Sequence, residues 1–379
     1  MNPTKITILA ALLRASLAAV SPGARAETGT PDEGWICPSR CPGSNDTERV
    51  QAALDNHGRV YLDRDYTIRS AVIHRIGQHV DFRGHALLAA PDGDAEPVLE
   101  IRGRELTLRD VRVNANYRSG AAVRWHSVTP NKPAQYNKVF GMHIMHARTG
   151  LLYGDTAVPV DAPQSENAIF GLTFRAVHVC LHVNQPNGFL YIVNSVIDCN
   201  AFEWTRDRPG QFDESSARSL LLQCGQVEIS NSEILKTATK KGWMVDVRPS
   251  ATLKLANCHF ESAAAGFLLS GSLWASNLSG LLNNDSAPVF DVPSKTALKF
   301  CALSNCRFQR PLDVSKYSGT AAVRSGPESA GRIGMANCLF DGWPSARLSS
   351  GGVRSSGVNV VFRFLDEQGE VREEALPTT

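Results

Sequence analysis

The chain has 379 residues, 43% of them hydrophobic, with 39 Lys and Arg against 37 Asp and Glu, a formal net charge of +2 at pH 7. That balance excludes the strong positive field on which non-specific nucleic-acid binding depends. The length suffices for a large core, and no Pro/Gly/Ser-rich linker or long charge run interrupts it, so one elongated domain is expected.

In chain order, the first element reads as an export leader. Lys5 gives a short positive region, residues 6–20 are apolar apart from Arg14, and Ala24-Arg25-Ala26 forms a small-residue cleavage site before Glu27. A signal peptide over 1–26 predicts a periplasmic or secreted protein. The apolar stretch is too short to span a bilayer, and no later segment predicts a membrane span. Loss of Lys5, Arg14 and Arg25 leaves 36 basic against 37 acidic side chains. An acidic ligand must then be held by local basic groups. All nine Cys lie beyond the leader, and the odd count leaves at least one thiol unpaired. Cys37 and Cys41, in a loop-like segment over 27–45, are spaced to pair in an oxidising compartment. A Zn site there is disfavoured, because no His or second Cys pair lies nearby.

A capping helix follows. Asn45 and Glu48 have capping-box spacing, Val50, Ala53 and Leu54 share one helical face, and Gly58 marks the stop. Two short strands come next, at 60–62 and 66–68.

The rest of the chain is governed by a degenerate repeat. Asn194-Ser195-Val196-Ile197, Asn231-Ser232-Glu233-Ile234, Asn257-Cys258-His259-Phe260, Asn305-Cys306-Arg307-Phe308 and Asn337-Cys338-Leu339-Phe340 each read Asn, small, any, large apolar. Asn277-Leu278 is a looser copy. Successive Asn positions lie 37, 26, 20, 28 and 32 residues apart, the spacing of solenoid coils with variable loops. Alternating apolar pairs precede most of them (Val227 and Ile229, Leu253 and Leu255, Ile333 and Met335), which is the period of a strand with one buried face. Asn suits a sharp bend because it tolerates the left-handed region, and stacked Asn side chains can hydrogen-bond along the bend. Cys258, Cys306 and Cys338 are expected as a buried stack of small side chains rather than as ligands. A third strand follows in most coils, for example at 150–153, 181–184, 219–222, 242–245 and 266–269. The prediction is an all-β, single-stranded right-handed parallel β-helix of three-stranded coils over 46–365, with a charged, frayed tail at 366–379.

Parity in the third strands places Arg124, His126, His182, Asn184, Gln223 and Asp246 on one outward strip, suited to a long sugar chain. The longest insertion, 199–217, mixes aromatic, acidic and guanidinium groups beside that strip. Trp204 is a candidate to stack on a sugar, and Arg206 or Arg208 to grip a uronate carboxylate. Lys240 and Lys241, with Lys236, form a basic patch in the next coil. For a hydrolase, Glu203, Asp207, Asp213, Glu214 and Asp246 are candidate carboxylates. For a lyase or epimerase, His126, His182, Lys240, Lys241 and Arg206 could supply a base and a cation. His143 and His146 are read as structural.

The cap segment 46–54, the strand–turn–Tyr segment 60–66 and the Asn-cornered coils resemble the pectate-lyase-like superfamily of right-handed β-helix proteins. That resemblance implies polysaccharide lyases, hydrolases or epimerases, or non-catalytic surface proteins. No Asn-Thr-Asp, Asp-Asp, Gly-His-Gly or Asp-Pro-His-Asp signature is present, and no rung shows clustered Asp ligands for calcium. Residue roles therefore do not carry over. The expected function is action on an acidic exopolysaccharide or cell-wall polymer, the alternative a non-catalytic polysaccharide-binding or structural β-helix. The export leader argues against a phage-tailspike-type depolymerase. No metal site or cofactor is predicted, with Ca2+ the one ion left open, and the partner is an acidic polysaccharide.

Overall fold

The computed structural model describes residues 34–376 apart from 130, 156–162, 201, 238, 285–286, 311–320 and 367. The expected leader lies outside the described residues. The chain divides into two compact units, Met1–Trp35 and Ile36–Thr379. Of the first, only residues 34 and 35 are described. The second is a right-handed parallel β-helix with an N-terminal helix.

Helix α1 (Asp46–Asn56) opens as its sequence predicts. Asn45 accepts a hydrogen bond from the Glu48 amide (2.9 Å), and the Glu48 carboxylate accepts one from the Ser44 amide (2.7 Å). Val50, Ala53 and Leu54 are its buried residues. The stop differs from expectation. His57 caps the helix in an extended conformation, and Gly58 does not take the left-handed one.

Each coil beyond α1 contributes to three parallel stacks. A first-sheet strand leads to a corner, a second-sheet strand follows, and after a variable loop a third-sheet strand closes the coil. The corner is the recurrent constraint. Asn194, Asn231, Asn257, Asn277, Asn305 and Asn337 all have φ between 49° and 53°. Asn359 (φ 54°) adds a further copy. Asn277 donates to Asn257 (2.9 Å), Asn337 to Asn305 (3.1 Å) and Asn359 to Asn337 (3.0 Å), so the side chains form a ladder. Earlier coils reach the same corner with Asp110 (φ 49°), Gly141 (φ 79°) and Gly171 (φ 81°). The three short strands per coil are not universal. Lys138–Gly154 and Gln164–Val193 run as continuous strands of 17 and 30 residues, bending through left-handed residues without losing their ladder.

Inward positions are apolar and stack by register. One column runs Ile234, Phe260, Gly280, Phe308, Phe340 and Phe362. Gly280 explains why its repeat looked loose. A Cβ there would lie 2.0 Å from the Phe260 ring, so the neighbouring rings occupy that volume. Cys258, Cys306 and Cys338 are buried just after their Asn corners, and all nine Cys are free, including Cys37 and Cys41. The tail is not frayed throughout. After a turn in which the Gly369 amide donates to the Asp366 carbonyl (3.0 Å), Val371–Ala375 pairs antiparallel with Val361–Leu365 and covers the last coil's edge.

Replacing a ladder Asn should test the corner. Asn337→Ala places a Cβ in the left-handed region without the amide and should cost ~1–2 kcal/mol. Asn337→Gly, which removes the Cβ penalty but also the ladder, should cost less. Chemical denaturation of both variants measures the difference, and equal, negligible losses would mean the corner is held by strand pairing alone.

Candidate functional site

The strip drawn from third-strand parity exists as a ladder. Glu100, Arg124, Leu152, His182, Leu221, Asp246 and Leu268 follow one another in register. It is not an open groove. Asp246 is 1% exposed, His126 7% and Asn184 8%. Each is engaged within the fold: Asp246 with Arg248 (2.8 Å), His126 with Glu100 (3.0 Å), and Asn184 with the Asp155 carbonyl (2.5 Å). Arg124 ion-pairs with Asp155, and His182 bonds Gln223 (2.8 Å). Burial lowers the His182 pKa, so the ring is neutral. Parity was a sound guide to direction. Exposure was decided by the partners each side chain meets on its own strand and on the adjacent rungs.

The 199–217 insertion also differs from expectation. It contains a short helix, α2 (Phe202–Asp207). Trp204 is 3% exposed and donates from Nε1 to the Ala176 carbonyl (2.6 Å), with Tyr117 edge-on at 4.7 Å. A buried indole that anchors a loop cannot stack on a sugar. Asp207 accepts from Tyr117 (2.8 Å) and Arg206 (2.6 Å), so Arg206 is already partnered by a carboxylate. Asp213 folds back on Ser215 and Ser216 (both 2.7 Å). Those hydrogen bonds hold both carboxyls at about 2. Lys240 and Lys241 are exposed, whereas Lys236 is fully buried. Its ammonium donates to the carbonyls of Ala217 (2.7 Å) and Lys241 (2.9 Å), with its third N–H shared between those of Glu214 and Trp243 (both 3.3 Å), tying the two loops together. Burial lowers its pKa to about 8.

The cluster with chemical capacity lies beside α2, on the outer side of the second sheet. A pocket of about 400 Å³ is lined by His143, Arg175, Ala176, Asp198, Asn200 and Glu203, with Phe174 behind them. Its walls come from three successive coils and the helix. Thr173 pairs in register with His143 on one side and Val196 on the other, which sets Arg175 and Asp198 two residues further along their strands. Glu203 is the one sequence candidate placed in this pocket. Arg175 reaches Glu203 Oε1 (2.8 Å), and His146 Nε2 reaches Oε2 (3.0 Å). The hydrogen bond and charge of Arg175, helped by His146, hold the Glu203 carboxyl below the usual carboxylate range.

Asp198 is in the opposite state. Burial pushes its carboxyl up to about 6, with the Glu261 charge adding and Asn200 opposing. Its Oδ1 is buried without a hydrogen-bond partner. His143 is bonded to Thr173 (2.6 Å) and kept neutral by burial. Two carboxylates with pKa values driven apart therefore share one pocket, the arrangement that separates a proton donor from an ionised partner.

Asp198, Arg175 and His146 were missed in the sequence, His146 being read as structural. No signal in the sequence marked them. Tyr117 (φ 61°), His146 (φ 50°) and Ala176 (φ 54°) take left-handed conformations beside the pocket, but His146 and Ala176 are level with each other at a bend of the solenoid, and Arg83, Glu105 and Lys295 take the same conformation elsewhere.

No protein-family model matches the chain, and neither does any curated protein. Among solved structures the chain is similar to the enzymatically active domain of bacteriophage CBA120 tailspike protein 2 (TM-score 0.46, 11% identity, 79% of this chain and 47% of that one). It is also similar to full-length tailspike protein 2 from Escherichia coli O157:H7 bacteriophage CAB120 (0.45, 10%, 79% and 42%) and to the Dettilon tailspike protein (0.45, 12%, 85% and 68%). The chain spans about half the length of the first two. The β-helix rests on this chain's own rungs, and these distant likenesses decide nothing about the pocket. Among the described residues, no group of three or more His, Cys, Asp and Glu is placed to hold a metal ion, and no helix is long and apolar enough to cross a membrane.

The Asp198 carboxyl yields a stability prediction. Its folded pKa lies above the model-peptide range, so the native state binds the extra proton and stability falls as pH rises from about 4 to about 6. Asp198→Asn removes the buried charge. It should stabilise the protein at neutral pH by ~1–2 kcal/mol, less than the full shift implies because the side chain is only half-buried. The gain should vanish below about pH 4. Thermal melts of both proteins across pH measure it, and a variant less stable at neutral pH would contradict the assignment.

Proposed function

We propose that the protein is an exported glycoside hydrolase acting on an acidic polysaccharide, with the Asp198–Glu203 pocket as its active site. The observation that carries this reading is the opposite tuning of the two carboxyls, Asp198 up to about 6 and Glu203 down. Hydrolysis of a glycosidic bond uses one protonated and one ionised carboxyl. Asp198 serves as the general acid that protonates the leaving oxygen. Glu203 serves as the ionised partner, acting on water or on the sugar itself. The Arg175 guanidinium is more than half exposed, and its outer N–H groups can take a uronate carboxylate in a charge-assisted bond. The resemblance of the Asn-cornered coils to the pectate-lyase-like superfamily supports a polysaccharide as partner, and the leader supports a periplasmic or secreted location.

A lyase or epimerase, which would use His146 or His143 as base, has less support, because His143 is neutral but already bonded and His146 is tied to Glu203. The alternative of a non-catalytic binding protein draws on the same cluster, since both Glu203 oxygens are already paired.

Incubation with a panel of uronic-acid polymers distinguishes these readings. New reducing ends without unsaturated uronate absorbance are expected. Unsaturated ends would indicate a lyase, and retained binding with neither product would indicate the binding protein. For the hydrolase, kcat/KM should decline above about pH 6 as Asp198 loses its proton, and Asp198→Asn should lower kcat by about 10²–10⁴-fold. A rate that stays level well above pH 6 would remove Asp198 from the acid role.

A further inference from the structure

The first sheet carries a second cavity, on a different stack from the carboxylate pocket. It is an open trough of about 490 Å³, bordered by Trp274 and floored by Ala302, Gly334, Ser276 and Ser304, with Lys254 on its rim. The register explains its shape. Lys254, Trp274, Ala302 and Gly334 follow one another in a single outward column, so side-chain height drops from an indole to a methyl to nothing in three rungs. Ala256, Ser276, Ser304 and Ala336 form the next column, equally low. Trp274 is 48% exposed and stacks on Phe300 (ring centroids 4.2 Å apart, 28° between planes).

Gly334 is the telling residue. Glycine inside a strand costs stability and marks either a backbone requirement or the close approach of another molecule. No backbone requirement applies here. Its φ is not positive, and a Cβ would find its nearest neighbour, the Cys301 carbonyl oxygen, 3.8 Å away. Gly280, by contrast, is required by the Phe260 ring. At Gly334 the missing side chain serves only to keep the floor flat in front of Trp274.

We propose that this trough is a carbohydrate-binding subsite, separate from the hydrolytic pocket, that holds one or two sugar rings of the same acidic polymer. The indole offers an apolar wall for the C–H face of a pyranose. The Ser276 and Ser304 hydroxyls lie at the floor for its hydroxyl groups, and at the rim Lys254 stands in register beside Glu228 with its ammonium over the Phe189 ring, so the rim offers both a donor and an acceptor. An apolar partner protein would leave those hydroxyls buried and unpaired, which favours a sugar. The identity of the polymer rests on the hydrolase reading; the existence of the subsite does not.

The test uses the full chain and soluble polygalacturonate, alginate and a neutral glucan as probes, with affinity read by calorimetry. Gly334→Val should fold at least as well as the parent, because a β-branched residue suits a strand and the space is open. It should nevertheless weaken polymer binding about tenfold, and Trp274→Ala should do the same. Turnover of a short oligosaccharide that fills only the Asp198–Glu203 pocket should be unchanged in both, so that the loss falls on KM for long polymer and not on kcat. Binding lost in Gly334→Val but present in Asp198→Asn would support the subsite even if no polymer is cleaved. Undiminished affinity in Gly334→Val, or no binding of any probe by the parent, would overturn it. So would a change of oligomeric state in Trp274→Ala by sedimentation, which would assign the trough to contact between copies of this chain.

Discussion

The structure depends on one backbone event repeated at one place: a residue in the left-handed region that turns the chain from the first sheet to the second. Because the event recurs in successive coils, each coil lies on the one before it, and every side chain acquires a neighbour above and below. Asn is favoured there for two reasons that add. Its side chain tolerates the conformation, and its amide can donate to the amide of the coil beside it. The inward columns of Val, Leu, Ile and Phe follow from this stacking and not from any local propensity.

The same stacking builds the candidate pocket. Arg175 and Asp198 belong to different coils and would be unrelated in a linear reading, yet register puts both on the outer side of one sheet. Helix α2 then delivers Glu203 from outside the rungs. The insertion is held by features that look functional in isolation: the Trp204 indole on a backbone carbonyl and the Asp207 pair with Tyr117 and Arg206 at the helix, and the caged Lys236 ammonium at its far end. Aromatic and charged residues in the loop are used for anchoring, which leaves Glu203 and Asn200 as its contribution to the candidate pocket.

The fold was legible because its rule is local and repeated. Asn at the corner and a large apolar residue three positions on are visible as letters. The rule was invisible where other residues satisfy it, as at Asp110, Gly141 and Gly171, and where a neighbour fills the volume, as at Gly280. The direction of outward side chains could be read from parity, hence the correct column through Arg124, His182 and Asp246. Their exposure could not, because it depends on which polar partner the same or the adjacent rung supplies, Asp155 for Arg124, Gln223 for His182 and Arg248 for Asp246. Glu203 stood out as a candidate because it sits in a dense insertion. Asp198 was missed because it occupies the third position of an ordinary rung, and its perturbed carboxyl arises from surroundings that only the stack assembles. Trp204 was misread because an amphipathic ring serves equally well as anchor and as platform.

The Phe column with Gly280 in its midst has a bearing on how such a chain can change over time. Phe260 fills the space that Gly280 vacates, and Phe308 closes over both, so these three coils fit one another as a set. Ring on ring is accommodated further along, at Phe308, Phe340 and Phe362, but a side chain at Gly280 would meet the turned Phe260 ring. The coils around Gly280 are therefore free to vary at their loops but not to be exchanged singly, and their ancestry should be traced through paired changes in bulk across adjacent levels.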